Sequence, residues 1–139
     1  MLSAARLVKR SVWVWQLWLS PRPKRRTNIA SQSTFTTAGG AAVYEFLIED
    51  DGSWGVGETH FIDNPIVKAG LSGPPLHIHL AQDENFTVEK GVLGTITDGK
   101  TYALTKADGK LTIKAGTRHR FWCHESSTED LVFHGWIDP

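Results

Sequence analysis

The chain has 139 residues, 40% of them hydrophobic, with 15 basic and 15 acidic side chains and a formal net charge of zero. That length supports one domain around one core, and a single cysteine, Cys123, excludes an intrachain disulfide, as in a reducing interior. The charge is unevenly placed: Arg6, Lys9, Arg10, Arg22, Lys24, Arg25 and Arg26 all precede Glu45, the first acid. The remainder is acidic and offers nucleic acid no basic surface.

Residues 1–41 are basic, free of acids and rich in tryptophan (Trp13, Trp15, Trp18) before trailing into Ser, Thr and Gly. The apolar run from Val12 to Leu19, broken by Gln16, is far short of the roughly 20 residues a bilayer span needs, so no transmembrane segment is expected. Pro21-Arg22-Pro23 follows where a secretory cleavage site requires small residues. The segment reads as a disordered or loosely attached extension. An Arg-rich transit peptide, or surface attachment through the tryptophans, is the alternative. A cytoplasmic location is expected, mitochondrial if the segment is a transit peptide.

From residue 42 to 139 the pattern is one of short strands between turn signals, which predicts an all-β sandwich or barrel. Ala42 to Glu49 ends at Asp50-Asp51-Gly52, and Trp54 to Ile62 ends at Asp63-Asn64-Pro65. Residues 66–75 read as a loop. Strands follow at 75–80 and 84–90, then Val92 to Thr97, Thr101 to Thr105 and Leu111 to Lys114. Asp98-Gly99 and Asp108-Gly109 between these runs predict two hairpin turns with successive antiparallel pairing, because a type I′ turn needs positive φ at both central positions. The last strands are His119 to His124 and Leu131 to Ile137, joined by the polar 125–130 segment. No helical periodicity is found past residue 41.

Chemistry concentrates between Leu76 and Gly91. Side chains two apart on a strand share a face, so the imidazoles of His77 and His79 can converge on one ion. Glu84 opens a second period-two run with Phe86 and Val88 and can add a carboxylate. His119, opening a later strand after the turn at Gly116, is a fourth candidate. Three imidazoles and a carboxylate suit one divalent ion, namely iron, manganese, zinc, nickel or copper. On an octahedral ion, four protein ligands leave two positions for water, dioxygen or substrate.

At these residues the chain resembles the cupin superfamily. Its first motif runs glycine, His-x-His, Glu, glycine; His77, His79, Glu84 and Gly91 stand in register, with Leu71 in the place of the leading glycine. Gly116 and His119 match the second motif, in which Lys114 takes the place of a proline and Cys123 that of an asparagine. The resemblance covers residues 42 to 137 and implies a single jelly-roll barrel, or double-stranded β-helix, with a metal inside. The run from His77 to Val88 is most similar to short fungal cupins of polyketide and other secondary-metabolite pathways. It implies a metal-dependent oxidoreductase, dioxygenase-like and with iron favoured, acting on a small aromatic or polyketide-type metabolite. An isomerase or decarboxylase, or a barrel that binds without turnover, are the alternatives.

Parity fixes what else should face the ion. Phe86 follows Glu84 and Phe121 follows His119, so both are expected in a substrate pocket, with Trp136; Val88 and Cys123 are expected in the core. His134 is the leading acid or base, since a histidine exchanges protons near neutrality. Glu58 and His60, on one face of the second strand, form a weaker pair for the same role. Tyr44 is expected in pocket or core, and His124 in solvent. With the histidines inward, Leu76, Ile78 and Leu80 turn outward as an apolar row that needs a cover, and because small cupins are frequently dimers, a homodimer is expected.

Overall fold

The computed structural model describes residues 33–48 and 52–138. The expectations for residues 1–32 therefore lie outside the described residues. Among the described residues there are ten strands: β1 (Thr34–Thr36), β2 (Ala42–Ile48), β3 (Trp54–His60), β4 (His77–Ile78), β5 (Glu84–Lys90), β6 (Leu93–Thr97), β7 (Lys100–Leu104), β8 (Lys110–Ile113), β9 (Arg118–Cys123) and β10 (Leu131–Ile137). They form a six-stranded sheet in the order β1-β2-β3-β10-β5-β8 and a four-stranded sheet in the order β4-β9-β6-β7. No helix among the described residues is long and apolar enough to cross a membrane.

The two sheets close on one core. Phe86 and Val88 from β5, Leu131 and Phe133 from β10 and Ile113 from β8 meet Leu93 from β6 and Phe121 and Cys123 from β9. Phe86, Phe121 and Phe133 pack edge to face, with ring centroids 4.9, 5.4 and 5.9 Å apart, in the offset geometry that the aromatic quadrupole favours. Cross-strand partners share a face, so the register β3–β10–β5 places Glu58, Phe133 and Val88 in one inward row and Val56, Gly135 and Phe86 in the next. His134 and Trp136 alternate with these and turn away from the core.

Several local features depart from the sequence reading. β1 pairs with β2 through Phe35 and Tyr44, so the sheet includes residues that were assigned to the extension. Residues 65–68 form a short helix, α1 (Pro65–Lys68), where a loop was expected. Asn64 explains it: its side chain accepts from the Ile66 N–H at 2.9 Å with Pro65 at the first helical position, so the Asn-Pro pair that looked like a strand-ending turn is a helix cap.

The two Asp-Gly pairs also behave differently. Asp98 and Gly99 have φ of 48° and 80° and join β6 to β7 as a hairpin. After β7, however, Asp108 Oδ2 accepts from both the backbone N–H and the hydroxyl of Thr105, at 2.7 and 2.8 Å. This capping box winds residues 106–108 into a 3-10 turn. The chain then changes sheets, and β8 pairs with β5 instead of β7.

Candidate metal centre

β4 and β9 pair with His77 directly opposite His119. That register sets the two imidazoles side by side, with centroids 4.3 Å apart. His79 follows β4 and joins them, its ring 5.1 Å from His77 and 5.5 Å from His119. Glu84 arrives from β5 in the other sheet. One ligand atom from each of the four residues lies within 4.8 Å of every other, so the four side chains singled out for metal binding do come together.

Backbone and side-chain contacts hold the three segments that carry them. The Gly116 N–H donates to the His79 carbonyl at 2.7 Å. Asp83, beside Glu84, accepts from Lys114 Nζ at 2.6 Å and from the Ala115 N–H at 2.9 Å. Lys114, the residue that stands in for a proline, thus ties the turn before β9 to the start of β5. These bonds, that from Lys114 foremost, hold the Asp83 carboxyl below the usual range. Sequence reasoning missed Asp83, for which an acid next to a ligand was the available signal.

The hydrogen bonds fix which nitrogens are available. Nδ1 of His119 lies 2.9 Å from the Thr117 carbonyl and Nδ1 of His77 lies 2.9 Å from the Pro75 carbonyl. A carbonyl accepts and never donates, so each Nδ1 carries a hydrogen and each neutral ring presents the Nε2 lone pair to the cluster. Yet His119 Nε2 sits 2.6 Å from Glu84 Oε2. A hydrogen shared between the two, or a cation held beside them, resolves the meeting of these lone pairs. His79 Nε2 is buried without a hydrogen bond, and its contact with Glu84 Oε2 is 3.5 Å. The donor set, the orienting carbonyls and the orphaned nitrogen all fit a divalent cation.

The other expected site residues fall elsewhere. Phe86 and Phe121 have the expected parity but are 2% and 5% exposed. Two positions beyond a ligand, each has passed from the barrel mouth into the packed core, so neither lines a pocket. Trp136 is on the outer face opposite Gly55 and Asn85, with Lys110 Nζ 5.6 Å from its ring. His134 shares that face, its ring 5.3 Å from Trp136. It is turned away from the cluster because it stands between the inward positions Phe133 and Gly135, and side chains alternate along a strand. Val88 and Cys123 are core as expected, and burial pushes the Cys123 thiol up. His124, expected in solvent, is 17% exposed and bonds Ser126. A groove of about 550 Å³ lined by Lys68, Arg120, Trp122 and His124 lies along the outer face of β9 and does not open onto the cluster.

Opposite the ligands, Tyr44, Phe46 and Val56 occupy inward positions of β2 and β3 but stay half-buried. Glu58 and His60, also inward, are almost wholly buried.

A barrel of two antiparallel sheets with this cluster on its inner wall has the cupin fold. Among solved structures, the Schizosaccharomyces pombe Cnp3 cupin domain aligns over 80% of this chain and 72% of its own, with a TM-score of 0.53 and 13% identity. A predicted oxalate decarboxylase from Thermotoga maritima aligns over 81% and 97%, with a TM-score of 0.58 and 13% identity. By sequence, the chain is 62% identical over 128 residues to a protein named oxidoreductase iacF from Pestalotiopsis fici, covering 92% of this chain and 63% of that one. It is 59% identical to the probable oxidoreductase virH of Hypocrea virens, covering 92% and 58%. The chain thus spans about three fifths of the length of these relatives. No family model matches it.

Proposed function

We propose that the protein is a metal-dependent oxidoreductase of the cupin fold, dioxygenase-like, acting on a small aromatic or polyketide-type metabolite. The observation that carries this reading is that one ligand atom from each of His77, His79, Glu84 and His119 lies within 4.8 Å of every other, with Nδ1 of His77 and of His119 turned to backbone carbonyls. His77, His79, Glu84 and His119 would hold one divalent ion, iron being favoured for redox chemistry. When bound, it supplies open positions at which a substrate oxygen and dioxygen can be brought together. Phe46 and Val56 would pack against the apolar body of the substrate and exclude water from the reacting end. The names of iacF and virH support the reaction class.

Elemental analysis of the purified protein, followed by oxygen uptake with aromatic polyketide substrates, tests the reading. Iron near one equivalent with substrate-dependent uptake is the expected result. A zinc-filled protein that consumes no oxygen would shift the assignment to an isomerase or decarboxylase.

The same reading includes a homodimer. Leu76, Ile78 and Leu80 are 54%, 42% and 82% exposed, an apolar row along the edge strand β4 that a second copy would cover. Light scattering at micromolar concentration should give twice the chain mass, and a monomer would remove the dimer without touching the metal site.

A further inference from the structure

The two faces of β9 present different chemistry. His119, Phe121 and Cys123 turn inward to the cluster and the core, while Arg120, Trp122 and His124 line the groove on the outside. Trp122 stands opposite Gly94 on β6, and a Cβ on Gly94 would lie 2.6 Å from indole Cε2. The missing side chain lets the indole lie flat against the sheet. On its other edge Gly70, with φ of 68°, brings the chain after α1 alongside the ring.

That second wall is anchored from inside the barrel. Ser72 Oγ lies 2.8 Å from His60 Nδ1, and His60 Nε2 lies 3.1 Å from Glu58 Oε2. Tyr44, opposite Glu58 on β2, is hydrogen-bonded to the same carboxylate. Glu58, His60 and Ser72 are 7%, 0% and 6% exposed, so a buried network ties the wall to the first strands.

Charge decides what fits between the walls. The Arg120 guanidinium lies 4.9 Å from the centre of the Trp122 ring. It donates from Nη2 to the Gly70 carbonyl at 2.6 Å, its one hydrogen bond among the described residues, and Nε has no partner. Most of its donors are therefore unused. The acids nearby lean on other cations: Asp63 is 3.5 Å from Lys68, and Glu125 is 3.5 Å from His124 Nε2. Lys68 and Arg120 thus face one another's groove with only Glu125 as a lining acid, and Leu71 and Ile96 complete an apolar floor. The volume of about 550 Å³ falls within the range of small-molecule sites.

We propose that this groove is a second binding site, for a small planar carboxylate such as an aromatic acid. The carboxylate would meet the unused N–H groups of Arg120 and the charge of Lys68, since a guanidinium matches a carboxylate edge to edge. The ring would lie against Trp122, Leu71 and Ile96. None of the lining residues is a ligand of the cluster, so the site stands without the metal reading.

Calorimetric titration of the full chain, with 1-naphthoate as probe and 1-naphthalenemethanol as its neutral counterpart, tests it. Naphthoate should bind at a single site, about tenfold or more tighter than the alcohol; equal affinities, or no binding of naphthoate, overturn the proposal. Lys68→Glu reverses a charge on an exposed side chain and should weaken naphthoate by about threefold or more while sparing the alcohol; an unmoved affinity overturns the location. Arg120→Gln should erase the preference for the anion, and a retained preference overturns the role of Arg120. If that variant folds poorly, the probe pair and Lys68→Glu decide. Because a carboxylate can also bind a metal ion, the titration is repeated after chelation. Binding that persists belongs to the groove, and binding that disappears with the ion places the probe at the cluster and overturns the second site.

Discussion

Glu84 and His119 meet Oε2 to Nε2 at 2.6 Å although they come from different sheets. β5 and β9 share no ladder of backbone hydrogen bonds. The cluster is thus a link between the two layers as well as a ligand set, and its loss should be felt in both chemistry and stability.

Removing one ligand should lower occupancy sharply. His77→Ala takes away an imidazole whose Nδ1–H is already committed to Pro75, and Glu84→Gln removes the negative charge. Inductively coupled plasma analysis of each variant should show metal well below wild type, by about tenfold or more for a ligand lost from such a set. Full retention in His77→Ala would contradict the assignment.

Stripping the ion should loosen the sheets. A ligand at about 100 times its dissociation constant stabilises the folded state by about 2.7 kcal/mol. For a domain of this size that corresponds to a melting temperature lower by about 10 °C after chelation. Calorimetry with and without chelator checks it, and identical curves would argue against a stabilising ion.

His134→Ala should leave metal content and turnover as they are. The residue lies on the outer face of β10, beside Trp136, and its ring does not face the cluster. A loss of turnover at constant metal content would restore His134 to the mechanism.

Gly73→Ala should be strongly destabilising. An added Cβ would lie 1.7 Å from the Phe121 carbonyl oxygen, which is backbone of a central strand and has no room to yield. The 70–76 segment would have to lift, carrying Ser72 with it, at a cost of about 3 kcal/mol or more. Thermal melts of the variant measure this.

Stability should also depend on pH through Glu58. Its carboxyl is raised above its ordinary value of 4.5 in the folded state. The folded protein therefore holds that proton more tightly, and the stability it contributes is present below pH 4.5 and lost as pH climbs through the raised value. Glu58→Gln removes this dependence, so wild type should lose ground to the variant as pH rises above about 4.5. Denaturant titrations across that range check the sign.

The parts legible in the sequence were those written in local pattern. Period-two alternation located most strands, and Asp98-Gly99 named its own hairpin. His77, His79, Glu84 and His119 were placed by motif spacing, and the structure brings them together. What escaped was set by tertiary geometry. Parity gave Phe86 and Phe121 the correct face but carries no information on depth, so two core residues looked like pocket walls. The chemistry of His134 points to proton transfer, whereas its place next to the inward Phe133 turns it to the outer face. Asp108 was read as half of a hairpin because its bond to Thr105 competes invisibly with the turn alternative. The partner of β8 depends on a change of sheet that no nearest-neighbour rule encodes. Glu58 and His60 were found by sharing a strand face, whereas Ser72 and Tyr44, which complete their network, come from segments far apart in the chain.

The position of β10 has a consequence for how the protein comes into being. It lies between β3 and β5 and is in register with both, so while a nascent chain still lacks residues 131–137 the wall carrying Glu58 and the wall carrying Glu84 have nothing to join them. A ribosome-held intermediate would already expose all four ligands without the enclosure that sets their spacing. An ion taken up at the finished geometry would therefore have to wait until the central strand has slotted home.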